Sequence, residues 1–145
     1  MRTKTGITLD DAKKLLEAAE AEAVANKWNV VIAVLDDGGH LVALHRMDGT
    51  RPGNPDIAIR KARTAAMTLR PSEVWERRVL QGRTSMLSMP LLTVQGGLPI
   101  FIDGDCIGAI GVSGVQSHED DRIAMVAIRS VFPNAKTTQA GEEKD

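Results

Sequence analysis

The stretch from Gly96 to Gly114, GGLPIFIDGDCIGAIGVSG, constrains the fold more than any other part of the chain. Pro99 to Ile102 reads as a short strand. Asp103-Gly104 supplies the φ > 0 positions of a tight hairpin turn. Cys106 to Val112 reads as the return strand, with Gly108 and Gly111 where a side chain would crowd a neighbour. Ser113-Gly114 opens a loop, and Ser117 with Asp120 three residues on marks a helix start. Glycine this dense inside apolar strands implies a close approach to the backbone, by a packed helix or by a ligand. The turn accounts for Gly104, and close packing of an Ala-rich helix over 9–26 accounts for Gly108. Gly111, Ser113 and Gly114 suit either role.

A hairpin needs further strands and a helical cover, and the rest of the chain supplies both. Thr8 is a suitable N-cap, with Asp10 and Asp11 in the first turn. Ala12, Leu15, Leu16, Ala19 and Ala23 then fall at helical spacing, giving an amphipathic helix that ends near Asn26. Trp28 to Leu35 (WNVVIAVL) is nearly continuous and β-branched, the pattern of a strand buried on both faces. After the turn 36–40, Leu41 to Met47 pairs back, with Leu41, Ala43, His45 and Met47 on one face. Asp48 to Asn54 is a loop. Pro55 opens a helix over 55–70 with Asn54 as its cap, and Pro71 begins a shorter one, PSEVWERRVL. Within 82–95 a loop is expected, then a strand near Leu91 to Val94. A last helix runs from about His118 to Val131, and Pro133 stops it. The reading is an α/β (α+β) fold, mostly antiparallel, with helices covering the sheet. Residues 1–133 form one domain, and the polar stretch 134–145 is a mobile tail.

The bulk numbers exclude several classes. With a formal net charge of −1, the chain has no overall basic footprint for nucleic acid or membrane. Aromatics are only 3% and Tyr is absent, which argues against base stacking. Cys106 is the single cysteine, so no internal disulfide can form. MRTKTGITLDDAKK has no apolar core of a signal peptide, and no apolar run reaches membrane-spanning length. A cytoplasmic protein is expected. HExxH, a Cys/His quartet and CxxCH are all missing, so no metal site is expected.

Lys61 is the most informative residue. Its helical neighbours Ile57, Ala58, Thr64 and Ala65 are the small and apolar positions that should face the sheet. A lysine there either snorkels along the helix edge or lines a cavity. Arg60, Arg63 and Arg70 read as solvated. Arg51 and Arg83 lie in loop segments, where binding residues concentrate. If they converge with Lys61, the ligand is an anion, most simply a carboxylate. GVSG lacks the final glycine of a nucleophile elbow. Its successive N–H groups before a helix could still hold an anion. His118 and Glu119 read first as part of a negatively charged helix start, and second as an acid–base pair.

The blocks ITLDDAKKLLEAAEAEA, VLDDGGHLVALHRMDG, IAIRKARTAAMTLRPSEVW and GGLPIFIDGDCIGAIGVSG, in that order and followed by an acidic helix start, resemble the GlcG/HbpS haem-binding-like family. The same module is similar to the C-terminal domain of PduO-type proteins. The resemblance covers roughly residues 7–132. It implies a profilin-like sandwich with a central antiparallel sheet of about five strands, and assembly into homo-oligomers. Some members bind haem, so haem is a possible cofactor. Others are enzymes of aromatic compound catabolism, such as 4-hydroxylaminobenzoate lyase. Lys61 and Thr64 fall in the family's KA-x-TA block. The expectation is a protein binding a small anionic or planar ligand between the 55–70 helix and the Gly-rich hairpin. Arg51, Lys61, Thr64, Arg83, Gly111, Ser113 and Gly114 would line that pocket. The alternatives are a cofactor-independent lyase or isomerase of a small aromatic or hydroxy acid, using His118 and Glu119, and a structural oligomer or accessory subunit without ligand.

Overall fold

A run as apolar as WNVVIAVL needs cover on both faces, and the fold provides it. The structure, a computed structural model, describes residues 1–139 and residue 142. Strand β1 (Val31–Asp36) is an inner strand of a four-stranded antiparallel sheet ordered β2-β1-β4-β3. Strand β2 is Leu41–Arg46, β3 is Gly97–Ile102 and β4 is Asp105–Ser113. Val31 stands opposite Arg46 of β2 on one side and Ser113 of β4 on the other. The β3–β4 hairpin turns as expected at Asp103 and Gly104, with φ of 49° and 85°.

The alternation of β1 feeds two cores. Val30, Ile32 and Val34 join Leu98, Ile100, Ile110 and Val112 under α1 (Leu9–Ala25) and α4 (Ser117–Val131). Val31, Ala33 and Leu35 join Ala109 under α2 (Asn54–Thr68), which presents Ala58, Ala62, Ala65 and Ala66. The predicted stripe of α1 is the buried one, and Thr8 caps it, accepting from the Asp11 N–H at 3.1 Å. Helix α3 (Ser72–Leu80) follows α2 after Leu69, whose left-handed φ of 59° ends the longer helix.

The glycines answer the question the sequence poses. A Cβ on Gly111 would run into the Ala58 carbonyl and Ala62, and one on Gly97 into the Lys61 carbonyl. The close approach is therefore α2 against the β3–β4 hairpin. Gly108 departs from expectation: its neighbours are the Leu35 carbonyl and Ile7, in the segment before α1, rather than the Ala-rich helix itself.

Two further expectations are corrected. Among the described residues the sheet has four strands, not about five, because residues 91–94 form no ladder. Their backbone groups are met by a side chain instead: the Thr64 hydroxyl lies 3.0 Å from both the N–H and the C=O of Leu92. The segment before them holds a short 3-10 helix, Thr84–Ser88. The start of the expected mobile tail folds back onto the sheet. Lys136 and Phe101 exchange backbone hydrogen bonds of 2.8 and 3.0 Å along the outer edge of β3. Residues 140, 141 and 143–145 of that tail lie outside the described residues.

Candidate functional site

Lys61 sits where α2 crosses the β3–β4 hairpin, and Gly96 makes room for it. With φ of 131° and no side chain, Gly96 leaves space that a Cβ would fill to within 2.9 Å of Nζ. The ammonium points inward. It donates to the Val112 carbonyl and to Asp120 Oδ2, each at 3.0 Å. The two side chains are only 3% and 2% exposed, so this is a buried ion pair and not a snorkelling lysine. Asp120 Oδ1 accepts from the Val115 N–H at 3.1 Å, and the start of α4 places the carboxylate at the positive end of the helix dipole. Burial pushes the Asp120 carboxyl up from its ordinary range, and Lys61 opposes that rise.

An ammonium carries three hydrogens, and those two bonds direct two of them. The third has no acceptor among the described residues. Ser113 Oγ, 4% exposed as a residue, accepts from Asn54 Nδ2 at 3.0 Å. Asn54 Oδ1 in turn accepts from the Arg51 N–H at 2.8 Å. These groups line a cleft of about 280 Å³ between the starts of α2 and α4 and the end of β4. Ile57, Leu92, Val94 and Val115 form its apolar wall, and exposed Arg51 belongs to its lining. The cleft thus offers hydrogen-bond donors on one side and hydrocarbon on the other. A larger hollow, of about 450 Å³, lies between Asp103-Gly104 and residues 134–139. Among the described residues it holds no buried charged side chain, so the smaller cleft is the candidate site.

The structure gathers Arg51, Lys61, Ser113 and Gly114 around this cleft. Thr64 acts one turn further along α2, by holding Leu92 in the wall. Gly111 serves helix packing. Arg83 is exposed beside the 3-10 helix and does not line the cleft. His118 is exposed, and Glu119 accepts from the Gln116 N–H at 3.1 Å in a capping box, so neither reaches the lining. The helix cap is thus Gln116 with Glu119, one residue earlier than the expected Ser117 with Asp120. Asp120, the partner of Lys61, had read in the sequence as part of a cap, and Asn54 only as a helix start. Asp121, next along, is pushed up to about 6, chiefly by burial and then by Glu73. Among the described residues, no group of three or more His, Cys, Asp or Glu is placed to hold a metal ion. No helix among them is long and apolar enough to cross a membrane.

One antiparallel sheet between helical layers, with the chain crossing it as described, is a profilin-like α/β sandwich. The family described as haem degrading protein HbpS-like matches residues 7–129, and the chain belongs to it. Protein GlcG of Escherichia coli strain K12 is 46% identical over 114 residues, covering 78% of this chain and 85% of GlcG. A double mutant of HbpS from Streptomyces reticuli superposes with a TM-score of 0.82 at 30% identity, covering 90% of each chain. A complex of PduOC with haem superposes with a TM-score of 0.83 at 28% identity, over 93% of this chain and all of that one.

Proposed function

We propose that this chain binds a small organic anion in the cleft at Lys61, and that it works as a cytoplasmic homo-oligomer. The observation that carries the ligand is the buried Lys61 ammonium, whose third hydrogen faces no acceptor among the described residues. Lys61 and Arg51 against Asp120 leave the lining with one net positive charge, matched to a monoanion. The apolar wall suits a hydrocarbon body on that anion. Exposed Leu80, Leu87 and Met89, near one another in sequence, support a surface that a second copy covers. Titration calorimetry with benzoate and hexanoate tests the site. Saturable binding is expected, lost in the double variant Lys61→Met/Asp120→Asn, which removes both charges together. Failure of both acids to bind wild type refutes the proposal.

Haem is the second reading, favoured by the PduOC–haem neighbour. The cleft itself does not fit haem. Its volume, about 280 Å³, falls below the ~300–1,000 Å³ of sites for drug-sized ligands. Among the described residues, no His, Cys, Met or aromatic side chain lines it. Lys61 Nζ is already committed to Asp120 and Val112, and an ammonium has no lone pair for iron. Haem binding would therefore use another surface. A saturable Soret shift on haemin titration, retained in the Lys61→Met/Asp120→Asn variant, is the expected signature. A response equal to that of an unrelated control protein removes haem. The lyase or isomerase alternative loses its assigned acid–base pair, because His118 and Glu119 lie outside the lining.

A further inference from the structure

We infer that Asn54 is a specificity-determining residue that makes the cleft select carboxylates over their neutral amides, by fixing Ser113 as a donor. This rests on the anion-binding reading and adds the polarity of one hydroxyl to it. The Arg51 N–H can only donate, so the Asn54 atom 2.8 Å from it is the amide oxygen. The amide nitrogen then faces Ser113 Oγ at 3.0 Å. Ser113 must accept that bond, which leaves its own hydrogen for another acceptor. None exists among the described residues, and both side chains are buried, Asn54 at 9% and Ser113 at 4% exposure. Ser113 and Lys61 line the same cleft. Two buried donors, each with a hydrogen that the described residues do not satisfy, therefore face one small volume. A group with two acceptor oxygens and no hydrogen answers both, and that group is a carboxylate. In the same pose a primary amide puts an NH2 group where the carboxylate has its second oxygen, so it leaves a donor facing a donor.

Replacement of Asn54 by aspartate tests this without changing shape. The carboxylate introduced at position 54 still accepts from the Arg51 N–H. It also accepts the Ser113 hydrogen, which turns a lone pair of Ser113 into the cleft. An acidic residue at the start of α2 complements the helix dipole, so the variant should fold. The probes are benzoate and benzamide, equal in shape and different in hydrogens, read by calorimetry with the melting temperature as a check on folding. Wild type should prefer benzoate at least tenfold, and Asn54→Asp should bring the two within about threefold. The added negative charge would itself weaken benzoate, so the same substitution is made in a Ser113→Ala background. There its effect on the ratio should be at most a third as large. An equal effect in both backgrounds overturns the inference, as does an unchanged ratio in folded Asn54→Asp. Should that variant not fold, Ser113→Ala alone decides: a fall of threefold or more in the benzoate preference upholds the inference, and an unchanged preference overturns it. If wild type binds neither probe nor hexanoate, the anion-binding reading itself fails. Equal wild-type affinity for benzoate and benzamide overturns only the role of Asn54 and Ser113.

Discussion

Lys61→Met leaves Asp120 as an uncompensated buried carboxylate. The pair is 3.0 Å long, with side chains 3% and 2% exposed, so the carboxylate loses its charge partner in a largely buried setting. Removing one member of such a pair costs about 3–5 kcal/mol. At roughly 2–4 °C per kcal/mol for a domain of this size, the melting temperature at pH 7.5 should fall by about 6–20 °C. The loss has a sign in pH. Without Lys61, burial outweighs the remaining Val115 N–H bond, and the Asp120 carboxyl rises further above the unfolded value. A raised carboxylate contributes stability that is present at low pH and lost as pH rises. The deficit should therefore shrink towards pH 4, where Asp120 takes up a proton in place of the lost ammonium. Lys61→Met/Asp120→Asn removes both charges and should recover much of the loss, a coupling of about 0.5–3 kcal/mol. Melts of wild type, Lys61→Met, Asp120→Asn and the double variant by circular dichroism, at pH 4 and pH 7.5, give the whole set. A single variant within about 2 °C of wild type at pH 7.5, or losses that simply add, would refute the buried-pair account.

Asp121 should behave oppositely to a stabilising salt bridge. Its carboxyl is raised from 3.8 to about 6, so its ionisation costs the fold stability, with the contribution lost as pH climbs through that window. Asp121→Asn should match wild type near pH 4 and exceed it above pH 6, by at most ~3 kcal/mol; urea melts across pH 4–8 measure this, and a constant difference would contradict it. Gly111→Ala places a methyl against the Ala58 carbonyl and should cost about 1–3 kcal/mol, read as a lower urea midpoint with unchanged slope. Arg83→Ala and His118→Ala alter exposed residues outside the cleft, so stability should stay within about 0.5 kcal/mol and benzoate affinity within twofold.

The parts of the fold legible in the chain are those with short-range signals. The stripe Ala12, Leu15, Leu16, Ala19 and Ala23 repeats at helical spacing, and it is the buried face of α1. WNVVIAVL has no polar residue after Asn29 to face water, and β1 is covered on both sides. Lys61 stood out because a charge among Ile57, Ala58 and Ala65 breaks a periodic pattern. Its partner had no such signal. Asp120 is 59 residues away, and a Ser-x-x-Asp spacing imitates a helix cap. The capping box lies one residue earlier, at Gln116 and Glu119, so the two motifs overlap and the commoner one hid the other. Leu91 to Val94 looked like a strand because apolar residues can form a wall as readily as a ladder. Thr64, nearly thirty residues earlier in the chain, decides between the two by binding the Leu92 backbone.

In the proposed complex a carboxylate sits between Lys61 and Ser113. A crystal structure of the wild-type protein grown with benzoate tests it most directly. The carboxylate should lie at hydrogen-bond distance, about 2.7–3.2 Å, from both Lys61 Nζ and Ser113 Oγ, with the ring against Ile57, Leu92 and Val94. Benzoate bound with its carboxylate away from both donors, or bound only outside the cleft, would contradict the account.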